Sequence, residues 1–452
     1  MAVGYKSIMT IEITPSGTEL QIATDENFTT IINTEDSGEY RTSQSFAKEE
    51  LPFGRTLYAR VRHISKETGA SNWSEPVSFH IKGPANIVGI AVDTYSGTYD
   101  TNYIDADGNL SDKPDLSTFN MFKNIAMATM DNDRRPVTMT KFPKFYIKTK
   151  HDGIMGSYSE GKLCYWISDV PYDGFRPHPA FKRSTERDSS GKYIINDYVY
   201  IGTYMGHLET VGDSVTVLGS QPNQTVAAGE STTTRANLLK YCQGRNDSAI
   251  NEKGWHMFDI WDLSLLQWLG LFWKGTFDFQ TAYGTNSDAS PMTGTTQAKL
   301  VFKGTQKSPE VWVDDLWSCY WQHIDLVSQN KGIVAITSPM DGTSNITFSG
   351  PNSFNTMSTT SGWVGSFCRN NFTLGDDVHS LLELFLTSAV RPSPNLALVE
   401  DYYNFDRATP YLKVGGYWEN GNKGGLFSLN SLNEVNADRS VKGYVATRIA
   451  KV

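Results

Sequence analysis

The chain has 452 residues and a net charge of −9, and hydrophobic residues make up 39% of it. This length allows two or three folded domains, and the composition is ordinary for a globular protein. Because no block of Lys and Arg occurs, we exclude a nucleic-acid partner. No apolar run reaches about 18 residues and the N-terminus lacks a charged head before an apolar core, so we expect neither a membrane span nor a secretory leader.

The four cysteines are Cys164, Cys242, Cys319 and Cys368. None of them stands in C-x-x-C spacing, which argues against a zinc or redox motif. We therefore expect four reduced, buried thiols, as in a protein made in a bacterial cytoplasm. We expect no metal and no cofactor.

Residues 1–83 contain short β-type runs at close spacing. Leu57, Ala59, Val61 and His63 alternate with Tyr58, Arg60 and Arg62, which predicts that the first four share one face of a strand. The unit reads Gly-x-x-Leu-Tyr-x-Arg-Val-Arg from Gly54 and then Ser-x-Trp-Ser-x-Pro around Trp73. This pattern resembles a fibronectin type III domain, which implies a small antiparallel sandwich that serves as a spacer.

Residues 84–130 are predicted to form a connector with short strands, the clearest being Ile87–Asp93. The run from Asp105 to Asn109 reads Asp-x-Asp-Gly-Asn and suggests a calcium loop. However, an EF-hand needs a Glu six residues after the Gly, and Pro114 stands there. A polar turn is therefore predicted.

From residue 131 the chain alternates strands, loops and two helices. Strands are predicted at Phe142–Lys148, Cys164–Ser168, Asp197–Tyr204, Trp312–Trp317 and Trp363–Phe367, and exposed loops at 209–234 and 339–362. A short helix is predicted at Arg235–Gln243. A second helix, over Trp255–Phe272, is apolar on most faces, so it must be buried, and Gly275 is placed to end it.

Two short motifs in this part suggest chemistry that their surroundings do not support. His178 stands between two prolines with no acid or nucleophile at motif spacing, so a structural role is predicted. Gln221-Pro222-Asn223 is similar to the sugar-selecting tripeptide of calcium-dependent lectins, but no partner motif follows shortly downstream. A turn is predicted there.

The stretch from Gly415 to Leu429 contains five glycines around Tyr417 and Trp418, which predicts a tight hairpin that leads into a strand. A closing strand is predicted at Gly443–Ala450. Together with Pro-Lys-Phe-Tyr, Trp-Ile-Ser and Gly-Phe-x-x-His-Pro-Ala-Phe in this order, the stretch resembles the C-type-lectin fold. More narrowly, it resembles bacteriophage receptor-binding tail proteins, including the major tropism determinant family.

The resemblance implies a fold that is mainly β with α+β: a fibronectin type III-like sandwich, then a C-type-lectin-like receptor-binding domain at 131–452. Trp418 is expected to be a buried anchor. The predicted receptor-binding residues are polar, aromatic or apolar side chains in and after the Gly-rich stretch: Tyr417, Glu419, Asn420, Asn422, Lys423, Phe427, Leu429, Ser431, Asn433 and Asn436.

This resemblance implies a phage tail-fibre or tail-tip adhesin, carried on the virion, that binds a host cell-surface glycan or protein. A homotrimer is expected, attached to other virion tail proteins through its N-terminal region. One alternative is a structural virion component, such as a baseplate part or capsid decoration. The other is a glycan-degrading enzyme, which needs paired carboxylates that face a groove. Candidate acids are Asp314, Asp315, Asp376 and Asp377, but adjacent acids point in different directions or lie on loops, so we expect no enzyme.

Overall fold

The computed structural model is mostly β-sheet, with helices concentrated in the middle of the chain. It describes residues 8–10, 17–37, 43–45, 56–65, 69–80, 86–94, 100–130, 136–211, 215–228, 234–248, 252–283, 312–331, 333–340, 345–348, 356–405, 411–417, 420, 423–431 and 445–452. We call the described residues of 8–80 the N-terminal unit and those of 86–452 the main body.

The N-terminal unit contains strands that pair only with one another among the described residues. They are β1 (Ile8–Thr10), β2 (Thr18–Ala23), β3 (Ile31–Ser37), β4 (Ser43–Ser45), β5 (Thr56–Ser65), β6 (Gly69–Ala70) and β7 (Val77–His80). Strands β3, β2, β5 and β6 form one sheet with β7 also paired to β5, while β1 and β4 form a second. Leu20, Ile22, Leu57 and Ala59 are its buried core, which confirms the predicted face of β5 at Leu57 and Ala59. Val61 is half-buried and His63 is exposed, so the buried face ends before the strand does.

The outer face of this sheet is closed by stacked cations and rings. Arg60 lies between the rings of Phe28 and Trp73, at 4.1 and 4.6 Å from their centroids, and Arg62 lies 4.4 Å from the Trp73 centroid. Glu19 accepts a 2.6 Å hydrogen bond from Nε of Arg62. We call Phe28, Arg60, Trp73 and Arg62 the Arg–Trp ladder. Such contacts stabilise a sheet whose core is small.

The main body begins with two five-stranded sheets and their helices. Its first elements are β8 (Ile87–Val92), β9 (Thr101–Ile104), α1 (Asn120–Lys123), β10 (Ala126–Met130), β11 (Val137–Pro143), β12 (Tyr146–Lys150), β13 (Leu163–Ser168), β14 (Arg176–Pro177), β15 (Tyr198–Gly202), β16 (His207–Val211), β17 (Val215–Gly219), α2 (Arg235–Gln243), β18 (Trp255–Met257), α3 (Ile260–Lys274) and α4 (Phe279–Tyr283).

The remaining elements are mostly strands. They are β19 (Trp321–Asn330), β20 (Ile333–Thr337), β21 (Asn345–Phe348), β22 (Gly362–Phe367), β23 (Asn371–Leu374), β24 (Asp377–Ser380), β25 (Thr387–Arg391), β26 (Val399–Tyr403), β27 (Tyr411–Val414), β28 (Leu429–Asn430), β29 (Val445–Ala446) and β30 (Ile449–Lys451). Short 3-10 turns lie at Leu116–Thr118, Pro179–Phe181, Leu381–Leu384 and Pro394–Leu396.

Long-range pairing joins distant parts of the main body. One sheet has the order β14-β12-β13-β8-β9, and another has the order β10-β11-β15-β30-β18. A third runs β21-β20-β19-β27-β28 with β29 on β19, and a small sheet runs β25-β22-β26. The predicted connector at 84–130 thus supplies β8, β9 and β10 to sheets whose other strands lie further along the chain.

Helix α3 is the centre of the main core. The Asp259 side chain caps its N-terminus by accepting from the backbone N–H groups of Trp261 and Asp262. Gly275 ends it with a φ of +71°, a left-handed conformation that glycine adopts without strain. Every residue from Ile260 to Phe272 is buried, which confirms the predicted buried helix, although Trp255–Met257 forms a strand before it. The predicted helix at Arg235–Gln243 is also confirmed.

Aromatic rings fill the space between α3 and the C-terminal strands. Phe385 contacts Tyr165, Trp268, Phe277 and Phe427 at centroid distances of 5.2 to 6.1 Å. Edge-to-face and offset contacts of this kind add to the stabilisation from burial of the rings. The interior of the main body is therefore built from rings that α3 and the strands share.

A network of charged groups is buried beside this core. Glu383 accepts from Arg176 and lies 2.7 Å from Nδ1 of His379, whose Nε2 is 2.9 Å from Nζ of Lys182. Lys182 also binds Asp377 at the surface. Burial alone raises the pKa of Glu383, but His379 and Arg176 outweigh it and lower that pKa to about 2. Burial lowers the pKa of His379, while the adjacent Glu383 opposes that shift.

Several predicted strands and loops differ from the structure. The predicted strand at Phe142–Lys148 is two strands that separate at Lys144, and Trp312–Trp317 is irregular, with Asp315 at a φ of +56°. The predicted loop at 209–234 contains part of the β16–β17 hairpin, and the one at 339–362 contains β21. Local patterns do not reveal such pairings, because they depend on distant partners.

The predictions for the cysteines, His178 and the Asp105 turn are confirmed. All four cysteines are free and buried, as expected. His178 is buried, with its Nε2 3.1 Å from the Ser264 hydroxyl and its Nδ1 accepting from the backbone N–H of Ala180, so its role is structural. Asp105 forms the predicted polar turn by accepting from the backbone N–H groups of Asp107 and Asn109. No helix in the described ranges is long and apolar enough to cross a membrane.

Candidate functional site

The Gly-rich stretch forms a loop that leaves β27 and is held closely against the main body. Gly415 and Gly416 have φ values of +92° and +76°. The carbonyl of Gly415 accepts a 2.9 Å hydrogen bond from the backbone N–H of Ser318. A Cβ on Gly416 would lie 2.6 Å from Cα of Gly424, so the two sides of the loop touch where side chains do not fit.

A buried carboxylate fixes the return of this loop. Asp401 accepts a 2.7 Å bond from the backbone N–H of Phe427 and a 2.9 Å bond from the Gln280 amide. A Cβ on Gly425 would lie 1.9 Å from Oδ1 of Asp401, so the carboxylate reaches these donors only because residue 425 is a glycine. The loop is thus tied to the core at both of its described sides.

Three predicted binding residues lie where a partner can reach them. Tyr417 and Asn420 are half-buried, and Lys423 is exposed. The Asn420 side chain accepts a 2.7 Å bond from the backbone N–H of Tyr417, and the Asn420 N–H donates to the Tyr417 carbonyl at 2.9 Å. This pair of bonds holds the turn in one conformation.

Lys423 stands over an aromatic pair on the small sheet. Its ammonium group is 4.9 Å from the centroid of the Tyr402 ring. Tyr402 in turn meets Trp363 edge to face, with centroids 5.4 Å apart and ring planes at 87°. The Ser428 hydroxyl lies 2.8 Å from the Tyr402 carbonyl and 3.1 Å from the Lys423 carbonyl, so the lysine and the ring are joined through their backbones.

A second cation, Arg391, lies on the strand at the other side of Trp363. Trp363 of β22 pairs with Tyr402 on one side and with Arg391 on the other. Arg391 is exposed, and its side chain crosses Gly365, where a Cβ would lie 3.0 Å from its Cγ. Side chains paired across strands point to the same face. Trp363 is 8% exposed, so it supports this face from inside rather than presenting its ring to solvent. We call Trp363, Arg391, Tyr402 and Lys423 the aromatic–basic surface.

The prediction is wrong for three of the proposed contact residues. Phe427, Leu429 and Ser431 are each at most 1% exposed. Phe427 packs against Phe277, Phe279, Phe367 and Phe385, while Ser431 donates to the Asn404 carbonyl. These side chains lie in the interior because the loop turns back before residue 426. Glu419, Asn422, Asn433, Asn436 and the predicted anchor Trp418 lie outside the described residues.

Sequence reasoning missed the partners of Lys423. Trp363 and Tyr402 are far apart in the chain, and their contact depends on the pairing of β22 with β26. The usable signal was Trp363 in a predicted strand and the pair Tyr402-Tyr403 before the Gly-rich stretch. That signal does not say which strands are neighbours, so the surface could not be assembled from it.

One group of side chains has the composition of a metal site. His256, Asp259 and Asp262 offer ligand atoms within 4.8 Å of one another. Arg183 already binds both carboxylates, with its Nη2 2.7 Å from Oδ1 of Asp262. Burial raises the pKa of Asp262, but Arg183 and His256 together lower it below its usual value. The group is therefore an internal ion pair that caps α3.

The acids that might serve a hydrolytic enzyme are buried or paired with cations. Asp314 and Asp315 are buried, Asp376 faces Arg187 at 3.4 Å, and Asp377 binds Lys182. None of these contacts sets two carboxylates on opposite sides of a groove, which is the arrangement that glycoside hydrolysis needs.

Comparison with protein-family models found no match for this chain, and comparison with curated proteins found none either. The functional interpretation therefore depends on the residues and their geometry.

Proposed function

We propose that the chain is a receptor-binding adhesin of a bacteriophage tail fibre or tail tip, carried on the virion. Its N-terminal unit is a fibronectin type III-like spacer, and its main body is a C-type-lectin-like domain that binds a glycan or protein of the host cell surface. The order of the sequence motifs supports this identity. The observation that carries the binding role is the exposed Lys423 held over the Tyr402 ring, which Trp363 supports edge to face.

The chemistry of this surface suits recognition. Aromatic side chains give large contact area with few rotatable bonds, so ordering them costs little conformational entropy. A lysine over a ring adds a charge whose position is fixed. Tyr417 and Asn420, which lie six and three residues before Lys423, add polar groups that pair with sugar hydroxyls or peptide groups.

The supporting framework favours a preformed site. Asp401, Ser428 and the close glycines hold the loop through hydrogen bonds to the backbone. A site that is already ordered loses less entropy on binding. In a homotrimer, three such sites would act together, so a weak single site is sufficient for firm attachment.

Binding of the full-length protein to intact bacteria, measured by flow cytometry over a panel of strains, tests this proposal. On a strain that binds, we expect Lys423→Ala and Tyr402→Ala each to weaken apparent affinity at least about tenfold, about 1.4 kcal/mol. The matched controls are Lys141→Ala and Tyr198→Ala, because Lys141 lies 3.4 Å from the ring centroid of Tyr198 in another cation–aromatic pair. These controls are expected to bind normally.

Different outcomes separate the alternatives. An equal loss of affinity in the Lys423 and Tyr402 variants and in the Lys141 and Tyr198 controls would contradict an adhesin that uses this surface. The absence of binding to any strain would contradict it too. Normal virion assembly with lost adsorption in the Lys423 variant favours the adhesin, whereas failed assembly favours a structural component. Release of soluble sugars from bound cells would indicate an enzyme.

A further inference from the structure

A cluster of basic side chains lies on the sheet formed by β19 and β27, away from the charges discussed so far. His323 of β19 pairs with Lys413 of β27. Arg235, the first residue of α2, lies 4.2 Å from the ring centroid of Tyr411 and binds the carboxylate of Asp325. We call His323, Arg235 and Lys413 the basic cluster.

Two nitrogen atoms of this cluster are buried without a hydrogen-bond partner. They are Nε of Arg235 and Nδ1 of His323. His323 is 8% exposed, and the Arg235 side chain is 12% exposed. A buried polar atom that lacks a partner costs about 1–3 kcal/mol, so a structure that leaves two such atoms in one cluster points to a missing acceptor.

The charges of the cluster select the kind of acceptor. Arg235 and Lys413 are cations, and Asp325 is the carboxylate that binds Arg235. Lys413 makes contacts of its own, and the argument does not require it to be free. Burial, and then Lys413 and Arg235, lower the pKa of His323 to about 3, so its ring is neutral at pH 7. A neutral imidazole beside cations donates from one nitrogen to an anion without adding charge.

The N-terminus of α2 adds positive potential to the basic cluster, and one edge of the cluster is open to solvent. Helix α2 begins at Arg235 and has nine residues, with Thr234 as its N-cap. The N-terminus of a helix attracts anions. The Asp325 side chain is 21% exposed and Tyr411 is half-buried, so the edge of the cluster meets solvent.

We propose that the basic cluster binds a small oxyanion of the phosphate or sulfate type. The anion accepts one hydrogen bond from Nε–H of Arg235 and one from Nδ1–H of His323, and Lys413 contributes long-range attraction. This site shares no residue with the aromatic–basic surface and does not depend on the proposed adhesin function.

Thermal unfolding of the full-length protein in inorganic phosphate or sulfate, against sodium chloride of equal ionic strength, tests the site. We expect the midpoint of the main-body transition to rise saturably by about 2–4 °C in either oxyanion. Arg235→Gln and His323→Leu should abolish the rise. His323→Asn should keep at least half of it, because the Asn amide places an N–H near the position of Nδ1.

The matched control is Arg187→Gln, which removes an exposed arginine that pairs with Asp376. It should leave the oxyanion effect unchanged. If Arg235→Gln fails to fold, the proposal is tested by comparing the rise of the unfolding midpoint in His323→Leu with the rise in His323→Asn. Equal midpoints in phosphate and chloride, or the same rise in wild type and His323→Leu, would overturn the proposal.

NMR of ¹⁵N-labelled histidine gives an independent readout. At pH 7, an anion hydrogen-bonded to Nδ1–H should shift the Nδ1 resonance of His323 saturably as phosphate is added, and sodium chloride of equal ionic strength should not. No shift of the His323 ring nitrogens at saturating phosphate would also overturn the assignment.

Discussion

In the N-terminal unit the arginines lie on the outer face of a sheet, stacked with rings in the Arg–Trp ladder. In the main body, by contrast, Arg183 and Glu383 are buried and paired. The difference follows from core size: the unit has a small buried core, whereas the main body has α3 and a wide aromatic interior around it. A large core supplies enough apolar burial to offset the desolvation of charges, and a small one does not.

Acid should produce the largest difference in folding stability between the N-terminal unit and the main body. The folded pKa values of His178 and His323 are about 3, below the usual 6.5, and that of Glu383 is about 2, below 4.5. The unfolded chain therefore binds more protons than the folded one below pH 6.5, and stability falls as the pH drops from 6.5 towards 2. We expect the main body to lose on the order of 5 kcal/mol by pH 3.

Pepsin digestion of the whole protein at about pH 3.5, with peptides identified by mass spectrometry, measures this loss. Peptides of the main body should appear first, since His63 in the N-terminal unit is exposed. Simultaneous digestion of both regions would show that the buried groups do not set the acid stability.

Removing one buried cation should have the next largest effect. In Arg183→Met, Asp259 and Asp262 remain buried close together without their guanidinium, and we expect a loss of about 3–5 kcal/mol in the free energy of unfolding. Urea unfolding followed by Trp fluorescence measures it. Arg187→Met, whose partner Asp376 is exposed, should change the midpoint little. Similar losses in both variants would mean that burial of the pair is not the cause.

The smallest effect is expected in the Arg–Trp ladder. Trp73→Ala removes two cation–ring contacts and should cost about 1–2 kcal/mol, confined to the N-terminal unit. Hydrogen exchange of β5 should speed up, while that of α3 stays unchanged. Val77→Ala, at a side chain that is 66% exposed, is the control. Faster exchange in α3 would show that the two regions are energetically coupled.

The sequence was most informative where a signal is local. The run of apolar residues through Trp261 and Trp268 has no polar face, so burial of α3 followed directly, and Gly275 marked its end. The alternation of Leu57 and Ala59 likewise predicted the buried face of β5. Such patterns depend on neighbours within a few residues.

The candidate site could be predicted only in part. The glycines indicated the loop and placed Tyr417, Asn420 and Lys423 on it, but they did not indicate where the chain turns inward, so Phe427 and Leu429 were misplaced. Trp363, Arg391 and Tyr402 come together through strand pairing, which periodicity does not encode. The basic cluster was missed for the same reason, because Arg235 and His323 belong to separate elements.

The Arg448 side chain is buried and joins parts of the chain that are distant in sequence. Its guanidinium donates to the carbonyls of Gly202 and Asp314, and the first of these is 246 residues away. Strand β30, which follows it directly, pairs with both β15 and β18. Contacts across such separations form late, because closing the intervening loops costs entropy before any pairing compensates. Assembly of the main body is therefore expected to be slow and to expose unpaired strands for long enough that crowding and temperature affect the yield of native protein.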